Sequence, residues 1–221
     1  MIFNTNAWNR IRYTFWAPVY NLVARQLNRK RRRALEIVAL QPGERVLIVG
    51  AGTGLDLDFI PPGPIITATD LTPAMISRLR RRAQRLGLPV DARVMDGHAL
   101  EFPDASFDVV ILHFIVAVIP DPVRCVREAA RVLRPGGRAV ILDKFVPDEG
   151  QPPLLLRLAG PVMRILASDV TRRLGPILAA SPDLRVVQDE STGFRGFLRI
   201  VLLRKDRNAP PARDAAQESG P

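Results

Sequence analysis

The chain has 221 residues, of which 47% are hydrophobic, and it carries a formal net charge of +10. This length and apolar content allow a sizeable buried core, which excludes a protein that is disordered throughout. The positive charge favours anionic partners, of which a lipid surface and nucleic acid are the obvious two. With one cysteine and two histidines, the chain offers neither a disulfide framework nor a cluster of metal ligands, so we expect no metal.

The first 40 residues differ from the rest, because every charge before Glu36 is positive. Apolar residues recur at helical spacing from Trp8 to Val19, which predicts an amphipathic helix, and Pro18 separates it from a second helix running to about residue 40. Aromatic residues on one face and arginines on the other suit a helix that lies in an anionic membrane surface. A helix that caps the rest of the protein is the alternative. The residues expected at the membrane are Trp8, Arg10, Ile11, Arg12, Phe15 and Trp16.

The sequence predicts no segment that crosses a membrane. Arg10 and Arg12 interrupt the early apolar region that a signal peptide needs. Because no run of about eighteen uncharged apolar residues occurs, nothing is expected to span the bilayer. We therefore expect a cytoplasmic protein that attaches peripherally to the inner face of the cell membrane.

An apolar run over Val46–Val49 leads straight into a turn with glycines at positions 50, 52 and 54. Such a run is typical of a strand buried on both faces of a parallel sheet. The GxGxG spacing is one residue shorter than the GxGxxG of dinucleotide sites, and it suits an adenosine with an amino-acid tail rather than a pyrophosphate. A tight turn without a ligand is the alternative.

A second apolar strand over residues 65–70 ends in Asp70, after which Thr72 and Pro73 favour the start of a helix. In α/β folds that bind nucleosides, an acid at this position bonds the ribose hydroxyls. The motifs VGAGTG at residues 49–54 and DLTPAM at residues 70–75 resemble those of class I S-adenosylmethionine-dependent methyltransferases. Ile48 stands where that family usually carries an acid.

The resemblance implies a Rossmann-like α/β fold, in which a mostly parallel seven-stranded sheet has helices on both faces and follows the amphipathic N-terminal helices. It also implies S-adenosylmethionine as the cofactor and S-adenosylhomocysteine as its product. Asp96, after the third strand, would bond the adenine amine, and a cap for the next turn is its alternative role. The implied cofactor-binding residues are Gly50, Ala51, Gly52, Thr53, Gly54, Asp70, Leu71, Met75, Asp96, Gly97, His98 and His113.

The remaining elements follow in the order that this fold requires. His113 follows the fourth strand, and ligands of open α/β sheets lie outside the carboxyl ends of strands, so His113 is expected where the chemistry occurs. A structural histidine is the alternative. No Asn/Asp-Pro-Pro-Tyr box follows this strand, which disfavours nucleic-acid bases and glutamines as substrates. The sequence predicts helices at 74–86 and 122–134, strands at 91–95, 107–112 and 138–142, and a hairpin of strands 184–187 and 197–203.

Residues 147–181 form an excursion in which a leucine-rich stretch precedes a predicted helix over 169–179 with Arg172 and Arg173. Apolar surface beside paired arginines would suit an acyl chain and a phosphate group, since guanidinium groups bond phosphate oxygens bidentately. An ordinary helical hairpin that covers the sheet is the alternative. We therefore divide the chain into helices at 1–40, a cofactor-binding domain at 41–204 and a disordered tail at 205–221.

A closer resemblance is to the soluble bacterial phosphatidylethanolamine N-methyltransferases, on the motifs YTFWAPVY at 13–20, IPDP at 119–122 and SDVTRR at 168–173. It implies stepwise methylation of phosphatidylethanolamine, through mono- and dimethyl forms, to phosphatidylcholine. His113 or Tyr20 would accept the proton that the amine loses. The implied substrate contacts are Tyr13, Tyr20 and Phe114 at the ammonium and Arg172 and Arg173 at the phosphate.

Two other interpretations remain. A C-methyltransferase of quinone biosynthesis would keep the same cofactor site but would not need Arg172 and Arg173. A non-enzymatic nucleic-acid-binding module would account for the charge. However, the arginines are scattered over several helices rather than gathered with base-stacking aromatic residues. We therefore expect phospholipid and an anionic membrane surface, rather than nucleic acid, as partners of a monomer.

Overall fold

The computed structural model describes residues 5–6, 25–146, 171–193 and 197–208. Much of the N-terminal helical region and the tail beyond residue 208 lie outside these ranges, so the predictions for them stay predictions. The same holds for every named membrane residue and for both tyrosines: Trp8, Arg10, Ile11, Arg12, Tyr13, Phe15, Trp16 and Tyr20.

Within the described residues, seven strands form one sheet with the order β3-β2-β1-β4-β5-β7-β6. The strands are β1 (Arg45–Val49), β2 (Ile65–Asp70), β3 (Val90–Val94), β4 (Phe107–His113), β5 (Leu133–Lys144), β6 (Leu184–Ser191) and β7 (Leu198–Lys205). The first five strands pair in parallel, and β7 pairs antiparallel with both β5 and β6. The expected mostly parallel sheet and its terminal hairpin are confirmed.

Helices cover both faces of this sheet, as expected. On one face lie α1 (Asn28–Val38), a 3₁₀ helix (Leu55–Phe59) and α2 (Pro73–Leu86), which pack against the odd-numbered side of β4. On the other face lie α3 (Pro122–Val132) and α4 (Leu174–Leu178). All seven residues of β4 are buried, which agrees with a central strand covered on both sides.

Cys125 lies on the inner side of α3 in the fully buried core. Burial raises the pKa of its thiol to about 12, because the apolar surroundings disfavour the thiolate. Its role in the described structure is therefore packing.

Within residues 171–181, the described end of the excursion, only α4 is helical, so the part of the predicted helix that can be compared begins later than expected, after Arg173. The reason is Pro176, which removes one helical hydrogen bond and whose ring would clash with the carbonyl four residues earlier. That carbonyl belongs to Arg172, and it accepts a hydrogen bond from the backbone N–H of Val146 at 2.9 Å instead. Strand β5 also begins earlier than expected, because Leu133 already pairs with Phe107 before the Pro-Gly-Gly turn.

Candidate active site

A cleft with about 470 Å³ of open space lies at the carboxyl edge of the parallel strands. Ligands of open α/β sheets bind at this edge. Among the described residues that line it are five of the predicted cofactor residues: Gly50, Asp70, Leu71, Asp96 and Gly97. The loop that follows β4 forms the opposite wall. The predicted residues Ala51, Thr53, Met75 and His113 are buried and do not line the cleft.

Two glycines that line the cleft allow neighbouring side chains to pack closely against the backbone. Gly50 has a left-handed backbone with a φ of 66°, and a Cβ atom there would lie 2.6 Å from Cδ1 of Ile115. A Cβ atom at Gly97 would lie 3.1 Å from Cδ1 of Ile119 and 3.2 Å from Cγ1 of Val49. Ile115 and Ile119 of the loop after β4 therefore pack directly against these glycines, and a larger residue at either position would displace that wall of the cleft.

Asp70 connects the glycine turn to the start of α2. Its Oδ2 atom accepts a hydrogen bond from the backbone N–H of Gly52 at 2.9 Å, and its Oδ1 atom accepts one from Thr72 at 2.9 Å. Burial raises the pKa of this carboxyl, and these two hydrogen bonds, together with one from the side chain of Thr72, offset only part of the rise. Because a carboxylate has about four acceptor positions, Asp70 keeps capacity for the ribose hydroxyls that the sequence predicts it to bind.

Asp96 borders the cleft at the end of β3, where Asn6 donates a hydrogen bond to its Oδ2 atom at 2.5 Å. The backbone N–H of His98 donates to Oδ1 at 2.9 Å, so Asp96 also caps the following turn, as its alternative role predicted. His98 itself does not line the cleft. Its Nδ1 atom lies 2.8 Å from Asp96 Oδ1, and its Nε2 atom accepts from the backbone N–H of Asp121 at 3.1 Å. This histidine therefore positions Asp96 against the start of α3.

The loop after β4 is held in place by Asp143 and Arg172. Asp143 is fully buried, and its Oδ2 atom accepts a hydrogen bond from the backbone N–H of Ala117 at 2.8 Å. Burial raises the pKa of Asp143, and its backbone donors and nearby cations only partly offset this. The guanidinium of Arg172 donates to the carbonyl of Val116 and, at 2.5 Å, to that of Ile119. Arg172 thus has a structural role that the sequence did not predict, while its phosphate contact and that of Arg173 stay predictions.

His113, at the end of β4, belongs to a buried cluster with two residues that the sequence interpretation missed. Its Nδ1 atom lies 2.7 Å from Asp56 Oδ1, and Asp56 Oδ2 accepts from Nη1 of Arg31 at 2.8 Å. The three residues are 3%, 2% and 4% exposed, respectively. Burial alone would raise the pKa of Asp56, but the charge of Arg31 and the contact with His113 outweigh it and hold that pKa well below its ordinary value.

The signals for these two residues were present in the sequence. Asp56 interrupts an apolar segment after the glycine turn, and Arg31 lies on the helical face that Ala34, Leu35 and Val38 turn toward the core. A charged residue at such a position needs a buried partner.

Phe114 follows His113 in a left-handed conformation, with a φ of 59° that is uncommon for a residue with a side chain. Its backbone N–H donates to the carbonyl of Leu142 at 2.8 Å. The centre of its ring lies 4.8 Å from Cζ of Arg31, which places a guanidinium against the ring. The expected contact between Phe114 and a substrate ammonium stays a prediction.

Across residues 25–146 and the shorter described segments, no group of three or more His, Cys, Asp or Glu side chains is arranged to hold a metal ion. No helix in this part of the chain has the length and apolar character needed to cross a membrane.

Comparisons with known proteins agree with this geometry. A family model described as a methyltransferase domain matches residues 47–141. The phosphatidylethanolamine N-methyltransferase of Cereibacter sphaeroides is 39% identical over 140 residues, which cover 62% of this chain and 68% of that protein. The demethylmenaquinone methyltransferase of Thermus thermophilus is 36% identical over 150 residues, which cover 64% and 68% of the respective chains. A SAM-dependent methyltransferase from Aquifex aeolicus shares the fold, with a TM-score of 0.61, 21% identity, and 79% and 89% of the two chains covered.

The cleft fits S-adenosylmethionine in its chemistry. Gly50 and Gly97 present backbone to the cleft, and the carboxylates of Asp70 and Asp96 offer acceptors for hydroxyl and amine groups. Together with the fold and the similarity to curated relatives, this arrangement establishes that the chain belongs to the class I S-adenosylmethionine-dependent methyltransferases.

Proposed function

We propose that the chain methylates phosphatidylethanolamine stepwise to phosphatidylcholine at a membrane surface. The observation that carries this proposal is the 39% identity to a phosphatidylethanolamine N-methyltransferase over 140 residues. The charge distribution of the described helices supports it independently.

The helical layer formed by α1 and α2 presents a positively charged surface. Its exposed arginines are Arg29, Arg32 and Arg33 of α1 and Arg80, Arg81 and Arg85 of α2. Arg33 has an acidic partner in Glu190 at 2.7 Å, whereas Arg80 donates to the carbonyl of Ala92 and thus keeps its charge. Each basic residue near an anionic leaflet contributes about 1 kcal/mol, so this layer favours attachment to anionic lipid. We propose peripheral attachment to the inner face of the cell membrane.

The residues of the chain suggest how the site acts. The bound cofactor supplies an electrophilic methyl group on a sulfonium. The substrate's ammonium must first lose a proton, and because Nε2 of His113 is buried outside the lining of the cleft, we propose that a water molecule relays the proton to it, with Tyr20 as the other proposed acceptor. The loop held by Asp143 and Arg172 covers one side of the cleft, which limits the access of water.

Methylation of a quinone precursor at carbon is a second candidate, because a demethylmenaquinone methyltransferase is 36% identical over a similar length. That acceptor carries neither an amine nor a phosphate. The two candidates therefore differ in whether label from the cofactor enters phospholipid or quinone.

The test combines the purified protein, radiolabelled S-adenosylmethionine and liposomes that contain phosphatidylethanolamine, phosphatidylglycerol and demethylmenaquinone. Chromatography then separates the labelled products. We expect mono-, di- and trimethylated phospholipid, and none from the Gly50→Val variant, in which the new side chain would displace Ile115 in the wall of the cleft. Label in the quinone alone would contradict the proposal and favour the second candidate.

A further inference from the structure

We propose that Arg31 and Asp56 are positioning residues that hold His113 as a neutral imidazole with Nε2 available to accept a proton. The inference deepens the proposed function, since it rests on the role of His113 given above. It makes a separate claim about the buried cluster, however, which is testable without any methyl acceptor.

The cluster lies at the same edge of the sheet as the cleft. His113 is the last residue of β4, and Asp56 follows the glycine turn that lines the cleft. Arg31 lies in the first turn of α1, whose other end is at the opposite edge, where Arg138 donates to the carbonyl of Val38 at 2.6 Å. Helix α1 therefore brings a cation to the carboxyl ends of the central strands.

Asp56 determines which nitrogen of His113 carries the proton. Because the pKa of Asp56 is held low, its carboxylate is ionised and can only accept hydrogen bonds. The 2.7 Å contact therefore requires a proton on Nδ1 of His113. Nε2 is buried and has no hydrogen-bond partner among the described residues. A neutral imidazole held in this way presents a lone pair at Nε2.

Arg31 determines the charge of the cluster. An isolated carboxylate beside His113 would favour the imidazolium, which has no lone pair to accept a proton. Arg31 cancels the charge of Asp56 at 2.8 Å, so neutral His113 leaves the cluster neutral and protonated His113 would leave a buried positive charge. The ring of Phe114 lies 4.8 Å from the guanidinium and favours its charged form.

Two further charged residues lie on neighbouring elements. Lys144 is on the same side of β5 as Leu142, the register partner of His113, and its positive charge also disfavours an imidazolium. Asp58 pairs with Arg82 at 2.6 Å, so its charge is already balanced.

The test uses nuclear magnetic resonance on protein with ¹⁵N-labelled histidine, because the chain has two histidines and His113→Gln identifies the signals of His113. In the wild type we expect the tautomer with the proton on Nδ1. In Arg31→Met we expect the protonation midpoint of His113 to move to higher pH, by about one unit or more. In Asp56→Asn we expect it to move to lower pH by a similar amount.

Two controls separate positioning from a structural ion pair. Arg31→Lys keeps the charge and should restore the wild-type midpoint. Arg82→Met breaks a comparable pair on the same helical layer and should leave the midpoint unchanged. Opposite shifts in the two main variants support the proposal, and no shift or shifts in one direction overturn it. If Arg31→Met does not fold, Asp56→Asn decides alone, and an unchanged or raised midpoint overturns the proposal.

The liposome assay distinguishes this inference from the proposed function. If the midpoint of His113 shifts in opposite directions in Arg31→Met and Asp56→Asn but no lipid is labelled, the proposed substrate is contradicted and the positioning of His113 is supported. Labelled lipid without midpoint shifts would overturn the positioning alone. Where both hold, the acid limb of the pH profile of kcat/KM should move in the same direction as the midpoint in each variant.

Discussion

The carboxylate of Asp143, at the end of β5, accepts a hydrogen bond of 2.8 Å from the backbone N–H of Ala117, in the loop that walls the cleft. Its other oxygen accepts from the backbone N–H of Lys144 at 2.8 Å. A fully buried carboxylate with two backbone donors therefore ties the sheet to the cofactor site.

Replacing Asp143 with asparagine should weaken both the fold and cofactor binding. The amide would place its NH₂ group against one of the two backbone donors, which leaves that donor unsatisfied. We expect the free energy of unfolding to fall by about 1–3 kcal/mol, measured by urea denaturation. The dissociation constant of S-adenosylmethionine, measured by calorimetry, should rise. Asp91→Asn breaks an exposed pair with Arg93 and should change either quantity little; equal effects in both variants would contradict the role of Asp143.

Gly50→Ala should impair cofactor binding in two ways, through backbone strain and through a clash with Ile115. The left-handed backbone costs about 1–2 kcal/mol for a residue with a Cβ atom, and that atom would lie 2.6 Å from Ile115. We expect the dissociation constant of S-adenosylmethionine to rise at least about tenfold, which corresponds to about 1.4 kcal/mol.

Gly43→Ala is the matched control for the glycine prediction. Gly43 is also left-handed, with a φ of 80°, but a Cβ atom there would meet nothing within 4 Å. It should lower stability without changing cofactor affinity. Ile115→Ala added to Gly50→Ala should restore part of the affinity, and no restoration would argue against the steric explanation.

Arg172→Ala and Arg173→Ala should separate a structural arginine from a substrate-binding one. Arg172 donates to carbonyls of the loop after β4, so its loss should weaken S-adenosylmethionine binding even without lipid. Arg173, before α4, should leave cofactor affinity unchanged and, if it binds phosphate, raise the KM for phosphatidylethanolamine. Equal cofactor affinity in Arg172→Ala and the wild type, measured by calorimetry, would count against the structural role.

Glu44→Gln should cost stability in a manner that depends on pH. The guanidinium of Arg138 donates to both oxygens of Glu44, at 2.7 and 2.8 Å, and these hydrogen bonds hold the pKa of Glu44 below its ordinary value of 4.5. Because the pKa is lower in the folded state, ionised Glu44 stabilises the fold above about pH 4.5, and this stabilisation is lost as the pH falls through the lowered value.

We therefore expect the variant to be less stable than the wild type by about 1 kcal/mol at pH 7 and by less at pH 3, as measured by chemical denaturation. Glu36→Gln serves as the control at pH 7, because its contact with Arg33 is long, at 3.9 Å, and exposed. A gap for Glu44→Gln that stays constant between the two pH values would contradict the linkage.

The fold was predictable because its signals are local. The apolar run of β1, the glycine spacing and the acid that ends β2 each occupy a few adjacent residues, and the structure brings Gly50, Asp70 and Asp96 to one cleft.

Several features of the site depend on contacts between distant parts of the chain, which periodicity does not encode. Arg31 and Asp56 are 25 residues apart, and Asp56 and His113 are 57 apart. The sequence predicts a phosphate contact for Arg172, because paired arginines beside an apolar stretch suit a lipid. In the structure, Pro176 limits α4 and leaves Arg172 beside the loop after β4. Such partners become evident only when the elements are packed together.

The burial of Cys125 has a practical consequence for labelling. It is the sole thiol of the chain, and with a pKa of about 12 it reacts slowly with maleimides and iodoacetamides at neutral pH. A cysteine introduced at Pro120, which borders the cleft but is not among the predicted cofactor residues, would therefore take up a fluorophore selectively in an otherwise native background. The emission of that single dye would report ligand entry in real time.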